Sequence, residues 1–195
     1  MFNMDLHKYT VLNELAEKNG IVVFGGSEDM YVPLGELKQA FDIESKMYNR
    51  SISNLSVNNA IAAYDACVAP LSPETVLLHI GNADLAFFAE APAAFDQKYR
   101  ELIAHIRSLD KRCRIAIVSL KNYDNDPVIS DLNTHLKYTA DSERCEYANI
   151  SEKRVWNPKG TMEAISFVHS MSFMRPLTSK RPVYDLARMI FCYGA

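Results

Sequence analysis

The sequence predicts one α/β domain, a three-layer α/β/α, flavodoxin-like arrangement around a five-stranded parallel sheet. Three observations point there. The short apolar run at 21–24 suits a strand buried on both faces, and 75–80 and 114–120 are further predicted strands. The stretches between them are long enough for helical crossovers, which parallel strands require. Three polar segments each follow a predicted strand: Gly25-Gly26-Ser27, Asn49-Arg50-Ser51-Ile52-Ser53-Asn54 and Gly81-Asn82-Ala83-Asp84. Open parallel sheets bind ligands beyond the carboxyl ends of their strands, so three polar exits in sequence point to one site.

The elements follow in order. Leu6, Tyr9, Leu12 and Leu15 form the expected inward stripe of an N-terminal helix over 4–18, stopped by Asn19-Gly20. The first strand, 21–24, leads to a helix over 33–41 that starts on Pro33, and 47–49 is a weak second strand. Ser56 is the expected cap of a helix reaching 67, with Val57, Ala60, Ile61, Tyr64 and Cys67 inward. After the third strand at 75–80, Phe95, Tyr99, Leu102, Ile103 and Ile106 give the clearest helical stripe, over 92–110. The fourth strand, 114–120, and a polar loop precede a helix carrying Val128, Ile129, Leu132, Leu136 and Ala140. A fifth strand at 146–150 and a closing helix at 161–171 complete the core, which spans about 20–172 of the single domain 1–195. The N-terminal helix and the tail 173–195 stand outside this plan. They are expected to pack on each other or to form a homodimer contact.

Composition narrows the function classes. At 195 residues the chain suits one domain with a sizeable core. A net charge of -3 argues against a nucleic-acid surface. No apolar run is long enough for a membrane span, and the N-terminus lacks a signal-peptide layout, so a cytoplasmic protein is expected. Cys67, Cys113, Cys145 and Cys192 form no CxxC pair and are expected as core residues, with no metal site and no cofactor. Glu28 and Asp29 directly after Gly25-Gly26-Ser27 disfavour phosphate, and the nucleotide-binding glycine motifs are missing.

Over about 20–172 the chain resembles the SGNH (GDSL-type) hydrolases. Phe24-Gly25-Gly26-Ser27 is similar to that family's first block, in which a strand runs into Gly-Asp-Ser. Asn49 to Asn54 resembles the second, N-x-G/S-x-S-G, and Gly81-Asn82-Ala83-Asp84 the third, G-x-N-D. Val155-Trp156-Asn157-Pro158 stands where the family has D-x-x-H-P. The resemblance implies Ser27 as nucleophile, an oxyanion donor at the Asn54 backbone and a small acyl ester as substrate.

Four departures bear on activity. Gly26 replaces the first block's aspartate, Asn54 the oxyanion glycine and Ala83 the oxyanion asparagine, with Asn82 one place early. The last block holds Lys153, Arg154, Val155 and Trp156 in place of its aspartate and histidine. A serine hydroxyl is a poor nucleophile until a base takes its proton, and one lost oxyanion donor costs about 10²–10³ in turnover. Ordinary triad catalysis is therefore not expected.

Other residues weigh in less. His79 is expected in the packing of the third strand, and His7, His105, His135 and His169 on helices away from the site. Lys121 reads as a solvated loop lysine rather than a partner for Ser27. Glu28, Asp29 and Asp84 read as helix caps, with a carboxylate cluster near Ser27 as the alternative. Two functions follow. One is a serine ester hydrolase with a modified site. The other is a non-catalytic binding protein for a sugar or acylated metabolite, using Ser27, Glu28, Asn54, Asn82, Asp84, Asn122, Tyr123 and Trp156.

Overall fold

In a computed structural model, which describes residues 2–40, 43–122, 124–151 and 183–192, five strands form one sheet in the order β2-β1-β3-β4-β5. They are β1 (Ile21–Gly25), β2 (Met47–Asn49), β3 (Thr75–His79), β4 (Arg114–Val118) and β5 (Glu146–Ala148). Every neighbouring pair is parallel, with Val23 opposite Asn49, Gly25 opposite His79 and Val118 opposite Ala148. The order reverses beside β1. Its carboxyl end, with those of β2 and β3, faces the crevice where such sheets bind ligands.

The helices are α1 (Phe2–Leu15), α2 (Leu34–Ala40), α3 (Ala60–Cys67), α4 (Leu85–Glu90), α5 (Pro92–Leu109), α6 (Pro127–Ser142) and α7 (Val183–Phe191). Side chains alternate across the strands and build two cores. Val22, Phe24, Val76, Leu78, Ile115 and Ile117 pack against α3, α5 and α6. Ile21, Val23, Leu77, Ala116 and Val118 face α2 and α7. Each of these buried chains except the smaller Ala116 contributes about 1.5–3 kcal/mol relative to an exposed one, so both faces resist exposure. The α5 stripe is buried throughout, and Cys67 and Cys113 are buried with thiols pushed up to about 11 and about 12, mainly by desolvation.

Three expectations need correction. Tyr9 is buried, but Leu12 and Leu15 of α1 are 39% and 82% exposed. Polar anchors set the inward face instead. Asp5 bonds the Ser53 hydroxyl and amide, Tyr9 Oη donates to the Ser51 carbonyl at 2.8 Å, and Asn13 Nδ2 donates to the Cys67 carbonyl at 2.9 Å. Second, α3 begins at Ala60 after Asn59, and Ser56 does not cap it; the Ser56 amide donates to Asn59 Oδ1. Third, the tail helix belongs to the core. Leu186, Ala187 and Ile190 of α7 are buried on the sheet face opposite the one α1 serves, so α1 and α7 do not pack on each other. The expected closing helix at 161–171 lies outside the described residues. Among the described residues no helix is long and apolar enough to cross a membrane.

Candidate functional site

Three loops meet above β1, β2 and β3, and each pair is joined by a named contact. The first loop leaves β1 as a 3-10 turn, Ser27–Tyr31, which starts on exposed Ser27. The Ser27 hydroxyl oxygen accepts the Asn54 backbone N–H at 3.0 Å, joining the first loop to the second. Asn54 has φ 54, the left-handed conformation that glycine adopts freely and asparagine tolerates best among the other residues. The glycine-to-asparagine departure therefore leaves the backbone amide in place. Asn59 Nδ2 holds the Asn54 carbonyl at 3.2 Å. Gly26 has an ordinary φ of -87, and a Cβ there would meet nothing within 4 Å, so the geometry itself does not require glycine.

The third loop turns on Gly81, whose φ of 142 suits glycine alone. A 3-10 turn, Asn82–Asp84, follows. Asn82 lines the cleft, while Ala83 points to solvent. Asp84 is 1% exposed, and both its carboxylate oxygens accept the Val57 amide at 3.2 Å. Desolvation pushes its pKa up to about 6, against the lowering effect of that hydrogen bond. This contact joins the third loop to the second.

The first and third loops are joined below the surface. His79 Nδ1, at the end of β3, lies 2.8 and 2.9 Å from the two carboxylate oxygens of Asp29. An ionised carboxylate can only accept, which assigns the Nδ1 proton to histidine. Gly25 makes this possible, since a Cβ there would sit 2.0 Å from Asp29 Oδ2. The pair resembles the base end of a triad in composition but not in placement. His79 Nε2 is buried without a hydrogen-bond partner among the described residues, and the ring packs on Phe191 at 4.7 Å between centroids.

These contacts correct the capping expectation. The Asp29 carboxylate serves His79 and that of Asp84 serves Val57, and neither side chain caps a helix. Glu28 instead lines a cleft of about 440 Å³ with Asn82, Lys121, Asn122, Asp124 and Asp126, closed on one side by Leu85 and Ile129. The Asn122 amide is committed to its own loop. Its Nδ2 donates to the Asp126 carbonyl and Ser130 hydroxyl, and its Oδ1 accepts the Asp126 N–H. Asp126 caps α6 by accepting the Val128 amide at 2.7 Å. Asp-Pro at 126–127 is the sequence signal for that cap, set inside the polar loop that precedes α6. Tyr123, Trp156 and His169 lie outside the described residues. Among the described residues no group of three His, Cys, Asp or Glu side chains is placed to hold a metal ion.

Solved structures share this architecture. A Streptococcus pneumonia protein assigned as a platelet activating factor is 17% identical, with a TM-score of 0.66, over 88% of this chain and 89% of its own. A GDSL-like lipase from Bacteroides thetaiotaomicron is 20% identical, with a TM-score of 0.53, over 74% of this chain and 77% of its own. A catalytic mutant of Axe2, an acetylxylan esterase from Geobacillus stearothermophilus, is 13% identical, with a TM-score of 0.55, over 82% and 94%. No family model and no curated protein matches the sequence. A parallel sheet in this order, with helices on both faces, defines a three-layer α/β/α fold. More narrowly, the chain has the SGNH (GDSL-type) hydrolase fold, in a strongly divergent sequence.

Proposed function

We propose that this protein is a serine ester hydrolase acting on small acyl esters of polar alcohols such as sugars. The observation that supports it is the 3.0 Å contact between the exposed Ser27 hydroxyl and the Asn54 amide. In this reading Ser27 Oγ attacks the ester carbonyl carbon. The carbonyl electron pair moves onto oxygen, which the Ser27 and Asn54 N–H groups stabilise. The hydroxyl proton passes to Glu28, directly or through a cleft water, because Asp29 and Asp84 are engaged elsewhere. Collapse expels the alcohol, which takes up that proton, and water then hydrolyses the acyl-serine. With no imidazole placed at Ser27 among the described residues, turnover belongs near the low end, where binding and oxyanion stabilisation alone give about 10³–10⁴ over water. The acetylxylan esterase among the similar structures agrees with an acetylated sugar as substrate.

The burial of His79 away from Ser27 favours a second reading, a non-catalytic binder of a polar ligand in the same cleft. Hydrolysis of p-nitrophenyl acetate and labelling by a fluorophosphonate separate the two. The hydrolase reading expects Ser27 to be labelled and turnover to vanish in Ser27→Ala, with Glu28→Gln slowed about 10²-fold or more. Neither turnover nor label would leave the binding reading.

A further inference from the structure

We propose that His79 is a positioning residue for Ser27, acting through Asp29. The inference rests on Ser27 being the reactive group, as proposed above. Asp29 is the third residue of the serine turn and is tied down from three directions. Its amide donates to the Gly26 carbonyl at 3.1 Å, and its carbonyl accepts the Val32 amide at 3.1 Å and Asn49 Nδ2 at 2.7 Å. Its carboxylate meets His79 Nδ1 through the gap that Gly25 leaves. His79 and Asp29 are 3% and 4% exposed, so no water competes with the contact and its geometry is kept. The turn is thereby fixed to β3, one residue before the segment that leads to Asn82. Losing the contact frees the turn to shift, and Ser27 Oγ with it, away from the Asn54 amide.

The test compares His79→Leu, His79→Asn and Gly25→Ala with the wild type. Asparagine keeps a donor near the Nδ1 position, leucine removes it, and the alanine methyl displaces the Asp29 carboxylate while leaving His79 intact. His79→Leu and Gly25→Ala should slow fluorophosphonate labelling of Ser27 by about ten- to a hundredfold, the cost of an ångström-scale misplacement. The Asn54 amide should exchange at least about tenfold faster in both, as its hydrogen bond to Ser27 opens. His79→Asn should recover most of each effect. Wild-type labelling and exchange in both disruptive variants, or an asparagine variant no better than leucine, would overturn the proposal. If the wild type itself fails to label, the hydrolase reading falls alone. Asn54 exchange and its rescue by asparagine still decide whether His79 positions the turn.

Discussion

Both carboxylate oxygens of Asp84 lie 3.2 Å from the amide nitrogen of Val57, so a buried acid clamps the third loop onto the second. Desolvation raises this acid to about 6 in the folded protein, from an ordinary value of 3.8. The folded state therefore binds a proton more tightly than the unfolded state between those values. The contribution of Asp84 to stability is lowest above pH 6 and recovers as pH falls toward 4. Asp84→Asn keeps an acceptor for Val57 without the buried charge. It should stabilise the protein at pH 7 by about 1–2 kcal/mol, a gain that vanishes near pH 4. Urea denaturation of both proteins across that range measures it, and a gain that persists at pH 4 would exclude this cause.

Asn54, whose amide donates to the Ser27 hydroxyl, holds a left-handed backbone. Asn54→Gly should leave stability unchanged or raise it by a few tenths of a kcal/mol, whereas Asn54→Ala should lower it by about 1 kcal/mol. Chemical denaturation reads both, and equal stabilities for glycine and alanine would contradict the assigned conformation.

The inward face of α1 is set by hydrogen bonds more than by its leucines. Tyr9→Phe leaves the buried Ser51 carbonyl without its donor and should cost about 1–2 kcal/mol. Leu15→Gln, on the exposed side, should change stability by less than about 0.5 kcal/mol. Thermal melts of the pair would show the reverse order if the leucine stripe faced the core.

Gly81 combines a φ of 142 with Leu120 and Leu132 side chains 3.2–3.3 Å from where a Cβ would stand. Gly81→Ala should destabilise the protein by about 1–3 kcal/mol. It should also slow fluorophosphonate labelling less than His79→Leu does, because the third loop does not carry Ser27. A larger loss of labelling than of stability would place Gly81 in the serine's support.

Elements dominated by local periodicity were legible from residues alone. The Phe95-to-Ile106 stripe, the apolar strands and the polar exits at Ser27, Asn54 and Asn82 define the layers and the crevice, because buried surface in a parallel sheet demands those patterns. Partnerships across long sequence separations were not legible. Asp29 and His79 are 50 residues apart, Asp5 and Ser53 are 48, and nothing in their local context distinguishes a cap from a buried partner. Which face α1 turns inward, and whether α7 joins the core, likewise depended on contacts that exist only once the sheet has formed. Local pattern dictates where surface must be hidden. The closed tertiary structure dictates which polar atoms, shut away from water, must find each other.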